Sequence, residues 1–297
     1  MGSSRWSPTD WDGYSATTQK KSQHQIFTSS SLNADLNPLN IKVRESVDSA
    51  ANPKSTPLIL AVDETGSMGY LATEIIQKGL GIVMKEVYDR KPISDPHIMC
   101  IAVGDSKCDR SPLQATQFEA DLALADQMEK FHIEGGGGGN GGESYHLVWY
   151  FAAMKTKTDS MMKRKKKGYL FTIGDEPPHM TLTKDEITRV FGDNAEADFT
   201  SRDLLDMASQ SYEVFHLIIN PGEYSDSRWK ELLGERAIAV TDHTKLAEVI
   251  VSTMQVIEGE DADTVINSWS GDTSLVVRNA VNSLAKTGAA GSGVVRL

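Results

Sequence analysis

Two cysteines in 297 residues, Cys100 and Cys108, are too few to build a disulfide framework. Apolar residues nowhere run for the ~18 positions of a membrane helix. The opening stretch MGSSRWSPTDWDGY has no apolar signal core, and Trp6 breaks the myristoylation pattern. Positive charge is in deficit as well. Lys and Arg number 30 against 41 Asp and Glu, a net charge of −11. A chain without a basic face has no default use for nucleic acid. Its one basic run, Lys163-Arg164-Lys165-Lys166-Lys167, precedes an apolar segment and reads as a solvated helix end or connector. There is no Gly-Lys-Ser/Thr phosphate loop, no HExxH pair and no internal repeat. These absences point to a cytoplasmic protein with neither nucleic acid nor membrane as partner.

What is present is a globular composition, 39% hydrophobic and 24% charged, with ample length for a core. Residues 1–56 are polar and carry no sustained period, yet Trp6, Trp11, Tyr14, Ile26 and Phe27 are scattered through them. They read as an extended arm that docks on something, because disordered tails rarely spend two tryptophans. From Pro57 the pattern changes to apolar runs alternating with helical periods. The runs 58–62, 97–104, 167–176, 212–219 and 236–240 read as strands. The stretches 70–90, 118–131, 143–156, 184–191, 201–211, 227–235 and 243–257 read as helices. Such alternation implies a doubly wound α/β domain over 57–257, with a mostly parallel sheet and helices on both faces. Residues 258–297 form a C-terminal extension whose "SGVVRL" could add as a strand to a sheet edge. Both arms are expected to hold copies of the chain, or a large partner, together. On that expectation, removing residues 1–50 and 264–297 leaves a folded monomer.

In parallel α/β sheets, ligands bind at the carboxyl ends of the strands. The first strand ends in Asp63-Glu64-Thr65-Gly66-Ser67 and the third in Gly174-Asp175-Glu176, while Gly135–Gly142 leads directly into a helix. Three separated segments therefore converge, supplying Asp63, Thr65, Ser67, Asn140 or Ser144, and Asp175. Carboxylate and hydroxyl oxygens suit a hard cation, Mg²⁺ first, with Mn²⁺ or Ca²⁺ as alternatives. Glycine's freedom would let the loop pass close to that ion. Gly136, Gly138 and Gly141 also satisfy a loose GxGxxG, but inside a glycine run the match means little. Glu64, Glu143 and Glu176 read as solvated loop and helix-start residues. The histidines read as structural, with His179, four residues after Asp175, at the mouth of the site.

This pattern resembles the von Willebrand factor A domain and its metal-ion-dependent adhesion site. Asp63-Glu64-Thr65-Gly66-Ser67 is similar to that family's Asp-x-Ser-x-Ser motif, and Asp175 to the Asp after its fourth strand. The threonine that the family places in its second loop is missing from "GGGGGNGGES", and Asn140 or Ser144 stands in its place. The resemblance implies a Rossmann-like fold and a metal-dependent protein-binding module without catalytic residues. The two aspartates would balance the ion's charge. A protein partner would then complete the ion's shell with an acidic side chain. An AAA+ ATPase, or neighbouring copies in a large particle such as a virion, are the settings it suggests. The rival is a haloacid-dehalogenase-like phosphotransferase with Asp63 as nucleophile, since "DETGS" differs little from the phosphorylated string of ion-pumping ATPases. Against it stand the helix that begins at once after the motif and the absence of a second Asp in "GDEPPH".

Overall fold

Leu58, Leu60 and Val62 point into one apolar cluster and Ile59 and Ala61 into another, so the first strand separates two cores. The next strand divides in the same way, with Ile98, Cys100 and Ala102 on one side and Met99, Ile101 and Val103 on the other. This is the consequence of a two-residue side-chain period in a run that is apolar throughout. The computed structural model describes residues 5–134 and 141–286.

Its main sheet comprises β1 (Thr56–Asp63), β2 (Pro96–Val103), β3 (Leu113–Ala115), β4 (Gly168–Gly174), β5 (Tyr212–Ile219) and β6 (Ala237–Val240), in the spatial order β6-β5-β4-β1-β2-β3. All neighbours are parallel except β3, which runs antiparallel to β2. The covering helices include α1 (Pro8–Thr18), α2 (Leu80–Arg90), α3 (Tyr145–Met154), α4 (Lys184–Phe191), α5 (Ser201–Ala208), α6 (Glu223–Leu233), α7 (Leu246–Ile257), α8 (Ala262–Asn267) and α9 (Gly271–Lys286). Residues from α2, α7, α8 and α9 fill one core, and residues from α3, α4, α5 and α6 the other. The doubly wound, mostly parallel sheet expected from the sequence is therefore present.

Local chemistry sets several boundaries. Thr183 and Glu186 close a reciprocal cap on α4, and Gly192 ends that helix at φ 69°. The helix expected over 70–90 is interrupted by a π-helical turn at Ile75–Gly79 before α2 begins. The helix expected over 118–131 shrinks to Ala123–Met128, because Glu119 is drawn into a bridge with Ile98. Strand β3 was not expected. It is a three-residue edge, too short for its pattern to register.

The basic run behaves as a charged connector. Lys163 meets Asp159 at 2.6 Å, Arg164 meets Asp48 at 2.7 Å, Lys166 meets Glu258 at 2.8 Å and Lys167 meets Glu213 at 3.6 Å.

The N-terminal residues depart most from expectation. They are not an extended arm reaching for a neighbour but fold back on their own domain. Trp6 stacks on Trp11 at 4.9 Å and on Tyr88 of α2 at 6.5 Å. The Tyr14 hydroxyl donates to Glu129 Oε1 at 2.7 Å, and Gln77 Nε2 donates to the carbonyls of Thr18 and Lys21 at 3.0 and 2.9 Å. Trp6, Trp11, Ile26, Phe27 and Leu36 all belong to the same core as α2 and α7. Arg44–Ser46 then pairs in parallel with Thr156–Thr158. The C-terminal extension packs likewise. Trp269 Nε1 donates to Ser252 Oγ at 2.8 Å, and the Arg90 guanidinium lies 3.6 Å from the Trp269 ring centre. The "SGVVRL" segment lies outside the described residues.

Removing residues 1–50 would thus strip apolar surface from the core instead of releasing an independent monomer. Trp11, 2% exposed, is the sharpest probe of this docking. Trp11→Ala is expected to lower the unfolding free energy by about 3–5 kcal/mol, measured by urea denaturation. An unchanged midpoint would mean that the segment does not dock in solution.

Candidate metal centre

Connections run outward from β1 to β2 and β3 on one side and from β4 to β5 and β6 on the other. The chain order therefore reverses between β1 and β4, which opens a crevice beyond their carboxyl ends. Asp63 is the last residue of β1, and Asp175 follows the last residue of β4. The loop before α3 is tied to the same edge. Glu143 N donates to the Pro177 carbonyl at 2.9 Å, and His179 N donates to the Glu143 carbonyl at 3.0 Å. Gly174 is small for a reason: a Cβ there would collide with the Tyr145 hydroxyl and press on the Asp63 carboxylate.

Asp63 is fully buried. Its Oδ1 accepts from Thr65 N at 2.8 Å and from Thr65 Oγ1 at 2.7 Å, and its Oδ2 accepts from the Tyr145 hydroxyl at 2.9 Å. Burial outweighs these three hydrogen bonds and pushes its carboxyl up to about 7, with repulsion from Asp175 adding to the effect. Tyr145 in turn is pushed far up by burial and by the Asp63 charge, so its proton stays on the hydroxyl. Asp175 itself is partly exposed.

Two glutamates expected to be solvated are not. Glu64 is buried, and Gln114 Nε2 donates to both of its oxygens at 3.1 and 3.2 Å. Glu143 is 5% exposed, its carboxyl meets the Thr65 side chain, and its Oε2 has no hydrogen-bond partner. Burial, then the charges of Asp63 and Asp105, push Glu143 up to about 9. Only Glu176 fits the solvated expectation. The physical reason is the bridge of the 143 loop to Pro178, which turns the glutamate inward.

Ser144 belongs to a neighbouring group. Its Oγ donates to Asp105 Oδ1 at 3.2 Å and accepts from Ser106 N at 2.8 Å. His179 Nε2 also meets Asp105 Oδ1, at 2.9 Å. Asp105 follows Gly104 beyond β2, so the strand-end argument that singled out Asp63 and Asp175 applied to it as well. Asn140 and the Ser67 side chain lie outside the described residues; the Ser67 backbone sits in the 3₁₀ turn Gly66–Met68. The other buried histidines behave structurally: burial holds His146 down at about 3 and His97 at about 4.

Among the described residues, no three His, Cys, Asp or Glu side chains stand together in ligating geometry. The donor chemistry nevertheless fits a hard cation. Asp63, Thr65 and Glu143 bring only oxygens, and the orphaned Glu143 Oε2 lacks the positive partner that a buried carboxylate needs. No lysine or histidine reaches Asp63, Thr65 or Glu143 by any hydrogen bond described.

The pKa displacements have a thermodynamic consequence for protein held free of metal. Asp63 keeps its proton up to about 7 when folded but ionises near 3.8 when unfolded, and Glu143 up to about 9 against 4.5. Between those values the two groups bind fewer protons in the unfolded chain than in the folded one, so their contribution to stability falls as pH rises. Glu64, pushed up by burial, adds in the same direction. In EDTA, the thermal midpoint is expected to decline from about pH 7 to about pH 9, above the range in which the buried, neutral His97, His146 and His216 act in the opposite direction. Glu143→Gln is expected to flatten the upper part of that slope. A midpoint that rises over this range would contradict the buried, protonated carboxyls.

No family model matches the sequence, and no curated protein matches it. Solved structures do resemble it in chain path. The pilus adhesin SpaC of Lactobacillus rhamnosus GG aligns over 75% of this chain and 31% of its own, at 11% identity and a TM-score of 0.45. A von Willebrand factor type A protein of Catenulispora acidiphila aligns over 70% and 44%, at 12% identity and a TM-score of 0.40. Proximal thread matrix protein 1 of the mussel byssus aligns over 72% and 48%, at 7% identity and a TM-score of 0.42. The chain thus spans less than half the length of each of these three proteins.

Proposed function

We propose that this chain is a von Willebrand A-like protein-binding module whose adhesion face is organised by a divalent cation. The observation that carries the reading is the convergence of the Asp63-x-Thr65 turn and the Glu143 loop at the reversal point of the sheet, with Asp175 at the end of β4. Asp63, Thr65, Glu143 and Asp175 would face the ion, in part through its waters. Mg²⁺ is the first candidate and Mn²⁺ or Ca²⁺ the alternatives, since all take oxygen donors. Bound there, the ion supplies an electrophilic point to which a partner's oxygen can attach.

The phosphotransferase reading finds less support. A nucleophilic aspartate must present a free oxygen to substrate, whereas Asp63 is fully buried with both oxygens accepting protein hydrogen bonds. A particle lashed together by the N-terminal arm also finds less support, because the aromatic anchors of residues 6–27 are taken up by the chain's own core. No helix among the described residues is long and apolar enough to cross a membrane.

An ion that binds only the folded state stabilises it by mass action, by about 2.7 kcal/mol at a hundredfold excess over Kd. Mg²⁺ or Mn²⁺ is therefore expected to raise the thermal midpoint of the intact chain, Asp63→Ala to abolish most of that rise, and Asp175→Ala much of it. Equal rises in all three proteins would remove the site from consideration. Affinity capture with Mg²⁺ and with EDTA should retain a protein partner only in the first case. Detection of an aspartyl-phosphate on Asp63 by mass spectrometry would restore the enzymatic reading.

A further inference from the structure

Two helical segments that follow different strands meet at the carboxyl edge of the sheet and leave a cavity between them. Gly69–Glu74 follows β1, and α7 follows β6, with α7 packed against α2 in the same core. Between Gly69–Glu74 and α2 the backbone widens into the π-helical turn Ile75–Gly79, a distortion that recurs at functional sites. Opposite it, His243–Lys245 forms a 3₁₀ turn before α7. The cavity bounded by these turns measures about 80 Å³, and Ile75, Ile82, Leu246 and Ala247 supply its apolar walls. An apolar cavity of about 150 Å³ takes benzene, so this one suits a slim alkyl stem and not a ring.

Glu74 borders the same cavity, and its charge is incompletely answered. Its Oε1 lies 3.4 Å from His243 Nε2, while its Oε2 is covered and has no hydrogen-bond partner. Lys78 also borders the cavity, but the π turn shifts it out of the register in which a helix pairs residues i and i+4. Among the described ion pairs, Glu74 meets only His243. A carboxylate oxygen removed from water is costly without a donor, and a cationic donor makes the strongest bond to it. Tyr70 joins this cavity to the crevice. Its ring packs edge-on against His243 at 5.1 Å, and its hydroxyl meets the side chain of Asn220, just past β5, within the field of Asp175.

We propose that this cavity is a subsite for a lysine side chain of the protein partner, with its stem on the apolar walls and its ammonium on the Glu74 carboxylate. Lysine matches both features, because a flexible four-carbon stem carries a compact charge, whereas the planar fork of arginine is broader. The net charge of −11 favours the approach of a basic segment. A lysine seated here lies beside whatever group the partner presents to the crevice, since Tyr70 borders both. The proposal rests on the protein-binding reading above, but it requires no ion.

Nα-acetyl-lysine N-methylamide and Nα-acetyl-norleucine N-methylamide share this stem and differ in the ammonium. Each is titrated in EDTA into the intact, isotopically labelled chain and into Glu74→Gln, with affinity read from backbone amide shifts. Glu74 is partly exposed and Gln keeps its size, so the variant keeps the fold; its amide spectrum away from the cavity checks this. The lysine probe is expected to shift the amides of residues 74–82 and 243–247. The norleucine probe is expected to bind roughly tenfold more weakly, as the loss of a charge-assisted hydrogen bond implies. In Glu74→Gln that preference is expected to vanish. No shift at these residues, equal affinity of the two probes for the intact chain, or a preference that survives in Glu74→Gln overturns the lysine subsite. Those outcomes leave the protein-binding reading in place, because it stands or falls on capture of a partner.

Discussion

A carboxylate at the end of a strand buried on both faces is the constraint around which the crevice is arranged. β1 is apolar along its length because it lies at the centre of the sheet, and Asp63 ends it while still fully enclosed. An aspartate in that position must be hydrogen-bonded, protonated or matched by a cation. Thr65 supplies two donors from the next turn, and Tyr145 supplies a third from the start of α3. Tyr145 reaches it only because residue 174 has no side chain. Strand, turn, helix and glycine therefore depend on one another through a single oxygen pair.

Beneath that pair lies an aromatic block that joins the crevice to the helices. The Tyr145 ring packs edge-on against His216 and Trp229, at 5.1 and 5.2 Å between centres, and Trp229 also meets Trp149 edge-on at 6.0 Å. Trp229 Nε1 donates to the Glu176 carbonyl at 3.0 Å, which fixes the loop directly after Asp175 to α6. His216 Nδ1 meets Thr172 Oγ1 at 2.9 Å, and burial keeps its ring neutral. The two carboxylates Asp63 and Asp175 are thus referred to one rigid unit. Preorganisation of this kind lowers the reorganisation needed when an ion or partner arrives.

The terminal segments serve the fold on the opposite face of the sheet. The core there is completed by Trp6, Trp11, Ile26, Phe27 and Leu36 from the N-terminal side and by α8 and α9 from the C-terminal side. Large aromatics in a polar background announced that something would be covered, but they did not say whose surface. The covering is intramolecular because α2 presents Tyr88 and Gln77 lies just before it, one as a stacking platform and one as a donor to arm carbonyls. The crevice holding Asp63 and Asp175 lies at the strand ends, away from this packing.

Five of the six strands of the main sheet and the alternation of helices were legible in the sequence, because a central parallel strand must be apolar on both faces and a covering helix on one. Asp63, Thr65 and Asp175 were legible for the same reason, since polar residues at the ends of such strands mark the carboxyl edge. What the sequence could not carry was direction within the loops. Glu143 resembles any solvated helix-start residue until the loop's bridge to Pro178 turns it inward, and Tyr145 resembles a core aromatic until Gly174 opens its way to Asp63. Ser144 could face either carboxylate, and the backbone of Ser106 decided for Asp105. Periodicity is a local property and determined the layers of this protein. The partners of its buried polar atoms depend on contacts between segments tens of residues apart, such as the 82 that separate Asp63 from Tyr145, and only the tertiary structure decided those.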